Sequence, residues 1–249
     1  MNKIYGVFDT TRARAAYDTI LARVAEINGV FDTGMIVNED YFLSEQLISD
    51  SKTVYKFDVL AQTMDADRQS WPNQKGVQNN DIFIGLCMLM TIDHREEGKS
   101  NILPQTYPNP YQFTAANTGN FEDLYAFYSG NWGLTVGSRV YIPNMSTRLF
   151  LDVPQTQQSL AANANGSQFN GNKLVELDPY PVLSGKADNK LTLNINTYED
   201  FAAAALAGQG QNVVSFFMKG ITVQNGANFA DFVTGMKSIT REAILAAKR

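Results

Sequence analysis

The chain has almost none of the side chains that carry out nucleophilic, redox or metal chemistry. Its 249 residues include one cysteine and one histidine. An internal disulfide is therefore impossible, and a zinc site of several imidazole and thiolate ligands has no second histidine to draw on. His94 stands in the charged stretch Asp93-His94-Arg95-Glu96-Glu97 after an apolar run, and reads as a surface residue at a strand exit. Cys87 lies inside the apolar run Ile82 to Met90 and reads as a buried small hydrophobe. No catalytic residue, cofactor-binding residue or metal ligand is assigned, and no cofactor is expected.

Clustered positive charge is missing too. The 20 Lys and Arg are outnumbered by 25 Asp and Glu, for a formal charge of -5. A surface built to neutralise phosphates concentrates Lys and Arg, whereas Arg12, Arg14 and Arg23 share a helical pattern with Asp18 and Glu26 and read as a solvated face. Direct sequence-specific contact with nucleic acid is not expected. No glycine-rich loop ends in Lys-Ser or Lys-Thr, Gly208-Gln209-Gly210 reads as a flexible turn, and no Gly-x-Ser-x-Gly elbow occurs. No apolar run approaches the roughly 20 residues that span a bilayer, and membrane contact is not indicated. Met1 to Phe8 lacks a basic region followed by an apolar core, so synthesis and folding in a cytoplasm is the expectation.

What is present is apolar residue in quantity. Hydrophobic residues make up 44% against 18% charged, enough for burial to offset chain entropy and give a globular body. Ala13, Ala16, Tyr17, Ile20, Leu21, Val24 and Ile27 recur at helical spacing, which predicts a helix over Thr11 to Ile27 with an exit at Asn28-Gly29. A weaker helical stretch is expected over Glu39 to Ser51. From Thr53 the period changes to two: Tyr55, Phe57 and Val59 fall on one face, and Val54, Lys56 and Asp58 on the other. Ile82 to Ile92 is nearly continuous in apolar residues and reads as a central strand covered on both faces.

Prolines at 104, 108 and 110 make Asn101 to Asn120 a loop of the kind that reaches toward a partner. Leu134, Val136, Val140 and Ile142 alternate with polar neighbours, and Leu149, Leu151 and Val153 continue that pattern after a turn at Pro143-Asn144. Gln155 to Asn172 is a surface loop by composition. Leu191 to Ile195 and Val214 to Val223 are strands, the second with a bulge at Gly220, and Asn225-Gly226 turns the chain. Phe229 to Lys248 returns to helix. The fold class that follows is mainly β, a β-sandwich of Greek-key type with N- and C-terminal helices. Its parts are a helical N-terminal region (1-52), a sandwich body (53-226) and a C-terminal helix (227-249).

Three segments of the second half, NWGLTVGSRVYIPNMSTRLFLDVPQTQ from Asn131, LSGKADNKLTLNIN from Leu183 and VVSFFMKGITVQNGA from Val213, resemble bacteriophage virion structural proteins of the jelly-roll coat type. That resemblance implies that the β-sandwich is of jelly-roll type and that the chain is a non-enzymatic capsid subunit, located in the virion, whose partners are copies of itself and other virion proteins. Coat proteins that bind the genome directly often carry a basic arm. Its absence implies an inner surface that meets a membrane, another protein or an already neutralised genome.

The terminal helices supply candidate self-association residues: Tyr17, Ile20, Leu21 and Val24 on the first, and Phe229, Phe232, Val233 and Met236 on the last. Each stripe needs a surface to cover it, either on its own sandwich or on a neighbouring copy. Two other classes stay open. A sandwich-type binding module for carbohydrate or protein would present an aromatic-lined cleft, with Trp71, Tyr107, Tyr111 and Trp132 available to stack on sugars, although aromatic residues in such a domain more often belong to the core. A two-carboxylate glycosidase would present a close acidic pair in a deep cleft.

Overall fold

A computed structural model describes residues 11–31, 33–59, 77–95, 105–108, 121–153, 174–197, 201–203, 211–240, 242–243 and 246. The predicted loop over Gln155 to Asn172, most of that over Asn101 to Asn120, the Gly208-Gln209-Gly210 turn, and Trp71 and Tyr111 lie outside these residues. The chain is mainly β, with two antiparallel sheets packed face to face, an N-terminal helix and a short C-terminal one.

Helix α1 (Thr11–Phe31) is followed by strands β1 (Ile36–Leu47), β2 (Val54–Asp58), β3 (Ile82–Arg95), β4 (Asn131–Val136), β5 (Arg139–Ser146), β6 (Val175–Glu176), β7 (Val182–Ser184), β8 (Asn189–Asn194) and β9 (Gln211–Gln224), and by helix α2 (Ala230–Val233). The larger sheet has the order β1-β9-β3-β6, with β7 also on β3, and the smaller has the order β2-β8-β4-β5. Every pairing is antiparallel: β1 with β9, β2 with β8, β3 with β6, β7 and β9, and β4 with β5 and β8.

Between the sheets lies a core dominated by aromatic rings. Trp132, Phe150 and Phe216 meet one another with centroids 5.8 to 6.4 Å apart, and Phe57 stands edge-on to Phe216 at 5.1 Å. Offset and edge-on contacts of this kind add to the burial itself. A second core fills the opposite face of the larger sheet, where Ile82, Ile84, Cys87, Ile221 and Val223 are covered by α1 and α2. The molecule is thus helix, sheet, sheet. Strand β3 is buried on both faces, as its continuous apolar run predicts, and β2 buries Tyr55 and Phe57 while exposing Val54, Lys56 and Asp58.

Several local expectations are corrected. The stretch Glu39 to Ser51 is no helix. Residues 39 to 47 belong to β1, which pairs with β9 along its whole length, and this tertiary pairing overrides the helical preference of Glu and Gln. Helix α1 continues through Asn28-Gly29 to Phe31, because the Asn28 side chain bonds forward: its Nδ2 donates to the Met35 carbonyl at 2.8 Å and its Oδ1 accepts from Met35 N at 3.2 Å. Gly34, at φ +65°, makes the turn into β1.

The hairpin between β4 and β5 turns at Gly137-Ser138, with Gly137 at φ +57°, and not at Pro143-Asn144, which lies within edge strand β5. Leu149 belongs to a 3-10 turn (Thr147–Phe150) and continues no strand. The bulge near Gly220 falls on the partner strand: the β3–β9 register slips between Gly85 and Cys87. The C-terminal helix expected over Phe229 to Lys248 is broken: among the described residues 242, 243 and 246 are helical but 234–240 are not, and that stretch separates them from a 3-10 turn (Ala227–Phe229) and α2. Gly235, at φ +82°, follows closely after it, where an added Cβ would lie 2.0 Å from the Arg23 guanidinium.

Candidate functional site

The two helical stripes meet each other. Ile20 and Val24 of α1, together with Phe229, Phe232 and Val233 around α2, are buried in the core above the larger sheet, with Tyr17 packed half-buried against them. The guanidinium of Arg23 donates to the Val233 carbonyl at the end of α2 (3.4 Å) and fixes the two helices together. At the other end of α1, Arg12 pairs with Asp178 (2.9 Å) and Glu176 (3.4 Å) and lies over the Tyr180 ring, while the Tyr180 hydroxyl donates to Glu176. Both stripes therefore find their cover on the chain's own sheet. Of the eight candidate residues only Leu21 (44% exposed) and Met236 (57%) face outward.

His94 is not at the surface. β3 runs past it, so the imidazole is buried, and its Nδ1 is 2.7 Å from Asn212 Oδ1, while Asn212 Nδ2 donates to the Ala203 carbonyl. The strand continues three residues past Ile92, and the supposed exit becomes part of a buried polar chain. Cys87 is buried as expected, and burial, followed by the Glu176 carboxylate, pushes its thiol pKa up. Trp132 is fully buried and Tyr107 nearly so, which makes both of them packing residues.

Two buried carboxylates come together inside the larger sheet. Glu45 on β1 and Asp93 on β3 flank Ser215 on the intervening β9, whose hydroxyl is 3.3 Å from Glu45 Oε1 and 3.2 Å from Asp93 Oδ2. All three residues are buried, and the serine occupies the space between the carboxylates that a glycosidic oxygen or a water would need. Sequence reasoning passed over this trio, because three residues on three strands become neighbours only through register.

A cleft of about 410 Å³ opens beside β1, lined by Asn38, Asp40 and Tyr41 from β1, Asp81 and Phe83 from the start of β3, and Thr222 from β9, among others. Thr222 donates to Asp40 Oδ2 (2.9 Å), Asp40 Oδ1 accepts from Tyr41 N (2.9 Å), and Asp81 Oδ1 accepts from Asn225 N (2.8 Å). Its carboxylates thus hold the local backbone in place. No group of three or more His, Cys, Asp or Glu among the described residues is arranged to hold a metal ion.

Besides Tyr125 and Val153, the remaining exposed large apolar side chains lie at the sheet edges. Strand β1 and strand β2 lie beside each other at one lateral edge of the sandwich, where Gln46 Nε2 bonds to the Lys56 carbonyl. Ile36, Tyr41, Leu47 and Val54 are exposed there. At the opposite edge, β5 and the 3-10 turn after it expose Val140 and Leu149.

No family model matches the chain, and no curated protein or solved structure is significantly similar to it.

Proposed function

We propose that the chain is a structural subunit of a virion: a capsid protein of jelly-roll type that assembles with copies of itself and with other virion proteins and catalyses no reaction. The observation that carries this reading is the nesting of the strand pairs. Counting β6 and β7 as one interrupted strand on β3 leaves eight strands, and the first pairs with the last, the second with the seventh, the third with the sixth, and the fourth with the fifth. A long antiparallel ribbon folded over on itself in this way supports a jelly-roll connectivity, an architecture used by capsid and lectin domains. Function does not follow from architecture by itself, but the rest of the molecule agrees. The space between the sheets is filled by Trp132, Phe150, Phe216 and their neighbours, the histidine and cysteine are buried, and exposed aliphatic side chains gather at the two sheet edges.

A sandwich-type binding module is the second reading, favoured by the polar cleft beside β1 with its Tyr41 and Phe83 rings. Sedimentation velocity over a rising concentration series separates the two. A coat subunit gives concentration-dependent assemblies well above the mass of one chain, visible by electron microscopy as shells, rings or sheets. A chain that stays monomeric throughout the series transfers the assignment to the binding module.

A further inference from the structure

Resting on the coat-subunit reading, we infer that copies of this chain associate head to tail, the β5 edge of one copy packing against the β1 edge of the next. The edges lie on opposite sides of the sandwich, since β1 sits beside β2 while the 3-10 turn after β5 sits against β3. Each carries exposed apolar side chains: Ile36 (54% exposed) and Tyr41 (49%, one face of its ring stacked on Phe217) on β1, and Val140 (57%) and Leu149 (46%) on β5 and the turn that follows.

Their charges are complementary. Strand β1 contains no base; its Glu45 is buried and its Glu39 pairs with Lys219 of β9 (3.6 Å), so the acidic character of this edge comes from Asp40 together with Asp81 in the cleft alongside it. Strand β5 and its turn contain Arg139 and Arg148 and no acid. Both arginines are exposed, and neither makes an ion pair with a described residue; Arg139 lies over the ring of its own neighbour Tyr141. Two β1 edges brought together would oppose carboxylates, and two β5 edges would oppose guanidinium groups, so unlike edges attract and like edges repel.

The contact is made by side chains and not by adding strand to strand. Pro143 removes an N–H from the middle of β5, and on β1 the Tyr41 N–H is already held by Asp40 Oδ1. An interface between two different patches propagates, closing into a ring or running on as a lattice according to the rotation at each step. A two-fold contact would stop at the dimer.

Two edge variants test this. Ile36→Asp with Tyr41→Asp disables the β1 edge, Val140→Asp with Leu149→Asp disables the β5 edge, and unchanged circular dichroism and melting confirm that each still folds. At concentrations where the parent assembles, each variant alone is expected to remain monomeric by light scattering. Their equimolar mixture is expected to double in mass and go no further, because one intact complementary pair of edges remains. Arg139→Glu with Arg148→Glu, which leaves the apolar side chains in place, is expected to abolish assembly of its own and to be capped by the Val140→Asp, Leu149→Asp variant in no mixture. A mixture of the two edge variants that stays monomeric, or an edge variant that assembles alone while the parent assembles, overturns the head-to-tail contact and leaves the coat reading standing. A parent chain that never assembles overturns both.

Discussion

Cys87 and Tyr55 illustrate how burial sets the chemistry of single side chains here. The Cys87 thiol, raised by burial on the helix-covered face of β3, stays protonated at neutral pH and acts as a small apolar filler. Replacing it by serine is expected to lower stability by about 1 to 3 kcal/mol through a poorly paired hydroxyl, measured by urea denaturation. The native thiol should react with a maleimide only as fast as the protein opens. Tyr55 is buried, and desolvation pushes its pKa up to about 12, against a smaller lowering by the hydrogen bond its oxygen accepts from the Ser49 N–H. The neutral phenol is therefore favoured in the folded state. Its contribution is complete below pH 10, the ordinary tyrosine value, and is lost as pH rises toward 12. Tyr128, more deeply buried, is shifted in the same direction. Denaturant midpoints are expected to hold near neutrality and fall above pH 10, and Tyr55→Phe should flatten part of that fall.

At the level of elements, glycines and helix faces decide which changes the fold tolerates. A Cβ at Gly220 would lie 2.1 Å from the Ile84 carbonyl oxygen, a backbone atom in the middle of β3 that cannot move aside. Gly220→Ala is expected to cost about 1 to 3 kcal/mol through overpacking. Gly137→Ala, at φ +57° in the open hairpin turn, should cost about 1 kcal/mol, from backbone strain alone. Chemical denaturation of the two variants side by side measures the difference. Phe232 points into the core above the larger sheet, so Phe232→Asp is expected to destabilise the protein by more than about 3 kcal/mol, seen as a large fall in melting temperature, and not to act as a surface change.

Elements were legible in the sequence wherever one face, or both, was buried without interruption. Strands β2, β3, β8 and β9 and the body of α1 all follow from periodicity. Strand β1 did not, because its buried and exposed positions do not alternate cleanly: Ser44 and Glu45 are both buried, one on each face. The β4–β5 hairpin was hidden by its own regularity, since a two-residue turn leaves the alternation in phase on either side. The helical stripes were found correctly as apolar surfaces, yet which surface covers them is a property of the folded sheet, and so is the exposure of the two edges.

For the whole molecule, the far-ultraviolet circular dichroism spectrum should be dominated by strand, with a lesser helical component from α1 and little from α2. A spectrum in which helix prevails would contradict the two-sheet body. One further property follows from the length of β3 and β9, fourteen residues each and joined through thirteen register pairs. At about 3.3 Å per residue such strands run on the order of 45 Å, a beam through the molecule from end to end. Tension along that axis loads the ladder in shear, so that many hydrogen bonds must yield together, whereas a pull across the strands opens them one after another. The subunit is consequently stiff in one direction and weaker in the other, and its resistance to stress depends on how that beam is oriented in whatever it helps to build.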